Sequence, residues 1–276
     1  MISLINGAHT PVDRSVLSQS HVLSFYKISY KPRLSGKLRY GQDYYDFDGG
    51  GLLFASPGQI IGGHGEDNTG QCSQYTLLIH PDFLWNYPLA ATIKRYGFFS
   101  YSANEGLHLS DTEKATIISV FQLIEEELKS RIDDFSQDVV IAQIELLLNY
   151  ANRYYKRQFI TRKAISNGLL QQLASVLDEY FEHSLNNGIP TVQSLSEKLN
   201  LSPSYLSDML RSLTGLSAQQ HIHNKLIEVA KEKLSITSLS VSEIAYELGF
   251  EHPQSFSKLF KTKTNLSPLE FRRSFN

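Results

Sequence analysis

The chain has 276 residues, 26 Lys and Arg against 28 Asp and Glu, a formal net charge of −2 and a hydrophobic fraction of 41%. This length favours two domains, and the composition excludes a wholly disordered, collagenous or coiled-coil chain. One cysteine, Cys72, excludes an internal disulfide and a multi-cysteine zinc cluster. No apolar run approaches the roughly 18 residues of a membrane span, and the first residues lack the basic-then-apolar pattern of a signal peptide. A soluble, cytoplasmic protein is the expectation.

From Val22 to His80 the chain reads as short strands between turns. His21–Tyr30 is rich in β-branched and aromatic residues and stops at Pro32. Tyr44–Asp48 runs into Gly49-Gly50-Gly51, Leu52–Ala55 into Ser56-Pro57-Gly58, and Ile60-Ile61 into Gly62-Gly63. Tyr75–Ile79 is the last such run. Strands spaced this way, with Gly and Pro between them, predict a small antiparallel barrel or sandwich. Its dense aromatics, among them Phe25, Tyr26, Tyr30, Tyr40 and Phe54, are expected to fill the interior. A small barrel can also hold one ligand.

The pattern changes near Leu109. Ser110-Asp111-Thr112-Glu113 is a capping box, followed by Ile117, Val120, Phe121 and Ile124 at helical spacing. A second helix is predicted from Ser136 to about Phe159, with Val140, Ile144, Leu147, Ala151 and Tyr154 on one stripe. The two helices form a hairpin, at about 110–160, that buries its stripes on the barrel or on a second copy. Thr161–Gly168, polar and ending in Asn-Gly, reads as a linker. Leu169–Leu185 then reads as an amphipathic helix stopped by Asn186-Asn187-Gly188.

The last third contains an internal repeat. Leu195, Leu199 and Leu201 match Ile244, Leu248 and Phe250 at a shift of 49. Pro203, Leu206, Ser207, Leu210, Arg211, Thr214, Leu216 and Ser217 match Pro253, Phe256, Ser257, Phe260, Lys261, Thr264, Leu266 and Ser267 at a shift of 50. Each copy has the parts of a helix-turn-helix. Ser196 or Ala245 stands where two helices approach closely. Asn200 or Gly249 suits a left-handed helix stop. Pro203 or Pro253 opens the second helix at its first position. Ser202 is the expected N-cap in the first copy, and Ser240–Glu243 is a capping box opening the second. Ser217 to about Leu234 reads as a connecting helix roughly 27 Å long. Such a rod suits two reading helices about one DNA turn, roughly 34 Å, apart.

Residues 191–276 resemble the DNA-binding domain of the AraC-type (AraC/XylS) bacterial transcription regulators. The carrying residues are Leu199–Leu206 with Thr214-Gly215, then Ile244–Phe250, Ser255–Lys261 and Leu266–Arg272. The first half is similar to the family's cupin-like sensor domain through Tyr45-Asp46-Phe47 and Phe54–Gln59. The resemblance implies an α+β, two-domain chain. Residues 1–165 would form a cupin-like β-barrel with the helical hairpin. Residues 166–276 would form an all-α domain with helix-turn-helix motifs at about 192–214 and 241–263. It further implies promoter DNA as partner, a small-molecule effector, a homodimer and, for an activator, RNA polymerase.

Carried over from the family, the base-facing candidates are Ser204, Ser207, Asp208 and Arg211 in the first motif, and Gln254, Ser255, Ser257 and Lys258 in the second. Gln pairs with adenine and Lys with guanine in the major groove. Lys261, Lys263, Arg272 and Arg273 are candidate phosphate contacts. Asp208 departs from the basic or amide residue common there; it accepts from cytosine N4 or repels phosphate, and Arg211 is placed to pair with it. Residues 191–276 hold 10 basic against 8 acidic side chains, net +2, far from the footprint of a nonspecific DNA binder.

No catalytic residue, cofactor or metal is expected. His64 stands alone among the turns of the β half. His221 and His223, two apart on a helix, point in different directions and read as one packed and one solvated residue. The glycine runs lack the strand-to-helix setting and Lys of a phosphate loop. Arg33, Arg39 and His64 could meet an acidic or sugar ligand. Two rivals are a constitutive DNA binder whose β domain only dimerises, and a cupin-like enzyme.

Overall fold

The structure is a computed structural model and describes residues 1–7, 21–32, 38–40, 43–45, 50–61, 73–102, 105–131, 133–161, 163–183 and 188–274. The chain divides into two compact units, Met1–Arg162 and Lys163–Asn276. The expected α+β organisation is present, with an antiparallel sheet unit followed by a helical one.

In the first unit the strands are Ile2–Asn6 (β1), His21–Val22 (β2), Tyr26–Lys31 (β3), Leu38–Tyr40 (β4), Asp43–Tyr45 (β5), Gly51–Ala55 (β6), Ile60–Ile61 (β7), Tyr75–Ile79 (β8) and Leu107–His108 (β9). The main sheet runs β1-β8-β3-β6-β9 with antiparallel neighbours, and β2-β7 and β4-β5 form two ribbons. The run His21–Tyr30, read as one strand, is broken at residues 23–25. β1, β4 and β9 were not expected. Gly50 lets the chain pass against β3's end, since a Cβ there would lie 2.5 Å from the Pro32 carbonyl oxygen.

The register sorts side chains to two faces, because successive residues alternate. Ile28 lies opposite Leu77 and Phe54, and Tyr30 opposite Tyr75 and Leu52. This face packs on helical structure. Tyr75 stacks on Phe121 at 5.2 Å, Tyr26 meets Phe99 edge-on at 5.2 Å, and Phe54 lies 4.4 Å from Phe98. The expectation that the aromatics fill a barrel interior is therefore corrected for Tyr26 and Phe54, which, with Tyr75, join the sheet to helices. Rings supply the area needed to bury one sheet face on helices.

Those helices are Leu89–Thr92 (α1), Asp111–Lys129 (α2) and Ser136–Thr161 (α3), with 3₁₀ turns at Pro81–Leu84, Ile93–Arg95 and Gly97–Ser100. The Ser110 box forms: Glu113 N–H donates to Ser110 Oγ, and Ser110 N–H to Glu113 at 2.8 Å. The stripe Ile117, Val120, Phe121, Ile124 is buried, as are Val140, Ile144, Leu147, Ala151 and Tyr154. α2 and α3 pack as a hairpin, with α2 also on β1 and α3 on β9. Among the described residues, no helix is long and apolar enough to cross a membrane.

The second unit consists of Lys163–His183 (α4), Val192–Lys198 (α5), Pro203–Thr214 (α6), Ala218–Ile236 (α7), Val241–Glu247 (α8), Pro253–Thr264 (α9) and Pro268–Arg273 (α10). The segment read as a linker is helical from Lys163 onward. One Gly inside a helix costs only about 1 kcal/mol, less than is gained by burying Leu169, Leu173 and Leu177. α7 is the axis of this unit and packs on α4, α6, α8 and α10. Leu226, Ala230 and Leu234 of α7 share a core with Ile244, Leu248, Phe250, Phe256 and Phe260. Ala218 and Ile222, near its other end, are fully buried too.

Candidate nucleic-acid interface

The turns of the two motifs repeat hydrogen bond for hydrogen bond. In the first turn, Leu199 N–H donates to Leu195 O, Asn200 N–H to Glu197 O and Leu201 N–H to Ser196 O, at 3.0, 3.2 and 2.9 Å. In the second, Leu248 donates to Ile244, Gly249 to Tyr246 and Phe250 to Ala245, at 3.0, 2.9 and 3.0 Å. This is the left-handed Schellman stop, and Asn200 (φ 54°) and Gly249 (φ 86°) adopt it as the sequence predicts. Ser196 and Ala245 are fully buried at the close approach.

The second helices start differently. Ser202 caps α6 by accepting from Tyr205 N–H, and Pro203 follows at N1. The extra residue of the second copy puts His252 at the N-cap of α9, where its side chain makes no capping bond. Both helices end alike: Thr214 and Thr264 Oγ1 donate to Leu210 O and Phe260 O at 2.8 Å, and Gly215 and Asn265 turn left-handed. Ser217 and Ser267 then open α7 and α10 with capping boxes to Gln220 and Glu270.

Each second helix buries one side and presents the other. On α6, Tyr205, Leu206, Met209 and Leu210 are buried. Arg211 is exposed, while Ser204, Ser207 and Asp208 are half-buried. Arg211 Nη1 donates to Asp208 Oδ1 at 2.8 Å, the pairing their spacing suggests. On α9, Phe256 and Phe260 are buried, Gln254, Ser255, Lys258 and Lys261 are exposed, and Ser257 is half-buried. Lys263 reaches Asn224 Oδ1 at 3.3 Å, and Arg273 is exposed.

One candidate lies elsewhere. Arg272 Nε donates to the Leu234 carbonyl at 3.2 Å, and its Nη2 is buried without a hydrogen-bond partner among the described residues. It closes the end of α7. A last-turn carbonyl has no intrahelical partner, and a guanidinium is a strong donor for it.

His221 and His223 also depart from expectation. Both are half-buried, with Nε2 atoms 2.9 Å from Thr214 Oγ1 and Gln219 Nε2 respectively. Burial lowers both pKa values from the usual histidine value, and nearby Lys263 lowers that of His223 further. The reading missed this polar knot at the start of α7; the Gln219–His223 spacing of four was its only local signal.

Charge is distributed unevenly over the second helices of the two motifs. α9 carries Lys258, Lys261 and Lys263 and no acid, whereas α6 carries one Asp and one Arg, bonded to each other. Among the described residues, no group of three or more His, Cys, Asp or Glu is placed to hold a metal ion. His9, Arg33, His64 and Cys72 and the segment Asp46-Phe47 lie outside the described residues, and nothing is described of the Arg39 side chain.

Residues 13–141 match the family described as "AraC-like ligand binding domain", and residues 195–274 match "Helix-turn-helix domain". The transcriptional activator RhaS of Salmonella schwarzengrund is 29% identical over 147 residues, 53% of this chain and 51% of that protein. The Msm operon regulatory protein of Streptococcus mutans is 35% identical over 91 residues, 33% of each chain. The chain thus spans about half or less of these two curated relatives. Among solved structures, the C-terminal domain of the response regulator yesN from Fusobacterium nucleatum is 34% identical, covering 36% of this chain and 96% of that one, with a TM-score of 0.32. With an AraC-like ligand-binding domain ahead of the helix-turn-helix domain, and with transcriptional regulators as relatives, the chain belongs to the AraC/XylS family.

Proposed function

We propose that this chain is a sequence-specific, double-stranded-DNA-binding transcription regulator and not an enzyme. The observation that carries this is the duplicated helix-turn-helix on one connecting helix, each copy with polar residues, exposed or half-buried, on the open side of its second helix. Gln254, Ser255, Ser257 and Lys258 read base edges in one major groove; Ser204, Ser207, Asp208 and Arg211 read the next, where Asp208 accepts from cytosine N4. Lys261, Lys263 and Arg273 bind phosphates. The lysine-rich α9 supplies most of the affinity. The motifs at about 192–214 and 241–263 form the DNA-reading domain within residues 166–276, and residues 1–165 bind a small molecule in the cytoplasm. That molecule acts by preferring one of two states of the protein, since an effector shifts an equilibrium only through differential affinity. A homodimer through the helical hairpin raises affinity, and an activator would touch RNA polymerase as well.

The test is selection of genomic fragments by the purified full-length chain at near-physiological salt. The expected result is a motif with two elements about one helical turn apart. Lys258→Ala should relax preference in one element only; uniform weakening would make Lys258 a phosphate contact. Enrichment of no sequence, by the full chain or by residues 163–276, would overturn the reading.

A further inference from the structure

The sheet face turned away from the helices has a different character from the aromatic one. By register it carries Lys27, Ser29 and Lys31 of β3, Thr76 and Leu78 of β8, and Ala55 of β6. Ser29 is 3% exposed and shares a hydrogen bond with Thr76 Oγ1 at 3.3 Å. Lys27 sits at the second position of the central strand, half-buried, with Leu78 and Ala55 directly opposite on either side. Among the described residues its ammonium has no hydrogen bond, ion pair or ring contact. Burial pushes its pKa below the usual lysine value, and the like charge of Lys31 adds to the effect.

A partly desolvated cation without a counter-charge is costly, and sheets place lysine at edges or in ion pairs instead. A cation kept at the middle of a sheet between hydroxyl and aliphatic neighbours suits a ligand that brings the missing charge. We propose that this face binds a small organic anion whose carboxylate or phosphate is held by Lys27, with its uncharged body over the neighbouring aliphatic and hydroxyl side chains. The proposal rests on reading the first unit as a ligand sensor and gives that ligand a chemical class.

The experiment is calorimetric titration of the full-length chain with benzoate and with glucose 6-phosphate at matched ionic strength. Each is compared with its neutral counterpart, benzamide or glucose. The expected result is one-to-one binding of one of the two anions and not of its counterpart, and which anion binds separates carboxylate from phosphate. Lys27→Met should weaken that binding about 10- to 100-fold, the range for loss of a charge-assisted hydrogen bond, while Lys27→Arg retains most of it. Without ligand, Lys27→Met should melt at the same temperature as the parent or slightly above it, because an unpaired cation is removed.

The proposal is overturned if neither anion binds at millimolar concentration, if a neutral counterpart binds equally well, or if Lys27→Met binds as the parent does. It is also overturned if Lys27→Met melts well below the parent and no anion raises the parent's melting temperature; the lysine then only covers apolar surface with its stem. Anion binding at Lys27 with no effect on the selected DNA would leave the site standing and sink the sensor reading instead.

Discussion

At the residue scale, two positions with the same role have different tolerance. Asn200 and Gly249 both make the left-handed stop between the helices of a motif. At Gly249 the backbone of residues 188 and 189 is also in close contact: a Cβ would lie 2.5 Å from the Gly188 carbonyl carbon and 2.8 Å from the Ile189 nitrogen. Gly249→Ala must therefore bear both the left-handed penalty and a displacement of backbone. It should destabilise the second unit by about 2 kcal/mol or more, whereas Asn200→Gly should lie within about 1 kcal/mol of the parent. Urea unfolding of the two variants checks this, and equal effects would refute the packing argument. The turn was legible in the sequence because Asn and Gly are the residues for that conformation. The contact with residue 188 was not, being made some sixty positions away. The bond from Arg272 to Leu234 O was not legible for the same reason: the partner is distant in the chain and carries no sequence signal.

At the scale of elements, the second unit was far more legible than the first. Each of its motifs states its own boundaries through a cap, a left-handed stop and a proline, all within about twenty residues. The strands of the first unit find partners at a distance, and β1 pairs with β8 across some seventy residues. The 3₁₀ turns between Pro81 and Ser100 have no period to detect. The same caps give the second unit a pH dependence. Glu243 is held below the usual carboxylate range by the Ser240 side chain, then by its backbone. Glu270 is held down by the Ser267 backbone, then by its side chain. His221 and His223 are lowered too. For all four the folded state binds fewer protons, so each contributes stability that is present above its unfolded pKa and lost as pH falls through the folded one. The expected result is a two-stage loss in urea midpoint, first below about pH 6.5 and then below about pH 4.5. His221→Gln with His223→Gln should remove the first stage and leave the second. A parent profile that is flat down to pH 5 would show that the histidines contribute nothing.

At the scale of the molecule, the question is where the helix-turn-helix unit begins. The helix-turn-helix family match starts at residue 195, yet the compact unit starts at Lys163, 32 residues earlier. The difference is α4, read from sequence partly as a linker. α4 packs on α5 and α7, Asp178 takes an ion pair from Lys225 at 2.6 Å, and Tyr180 Oη donates to the Gly188 carbonyl at 3.1 Å. The ion pair is partly exposed and worth little by itself. The weight lies with the apolar side of α4, where each buried leucine contributes about 1.5–3 kcal/mol. A fragment of residues 163–276 should therefore unfold cooperatively and select the same DNA motif as the full chain. A fragment of residues 191–276, lacking α4, should be several kcal/mol less stable, because α7 loses its packing on α4 and Gly188–Ile189 no longer backs the second turn. Its affinity should fall through loss of folded population, so added DNA should restore its structure. Equal stability of the two fragments would mean that α4 is a connector that merely lies against the reading domain, and the functional unit would then begin where the family match does.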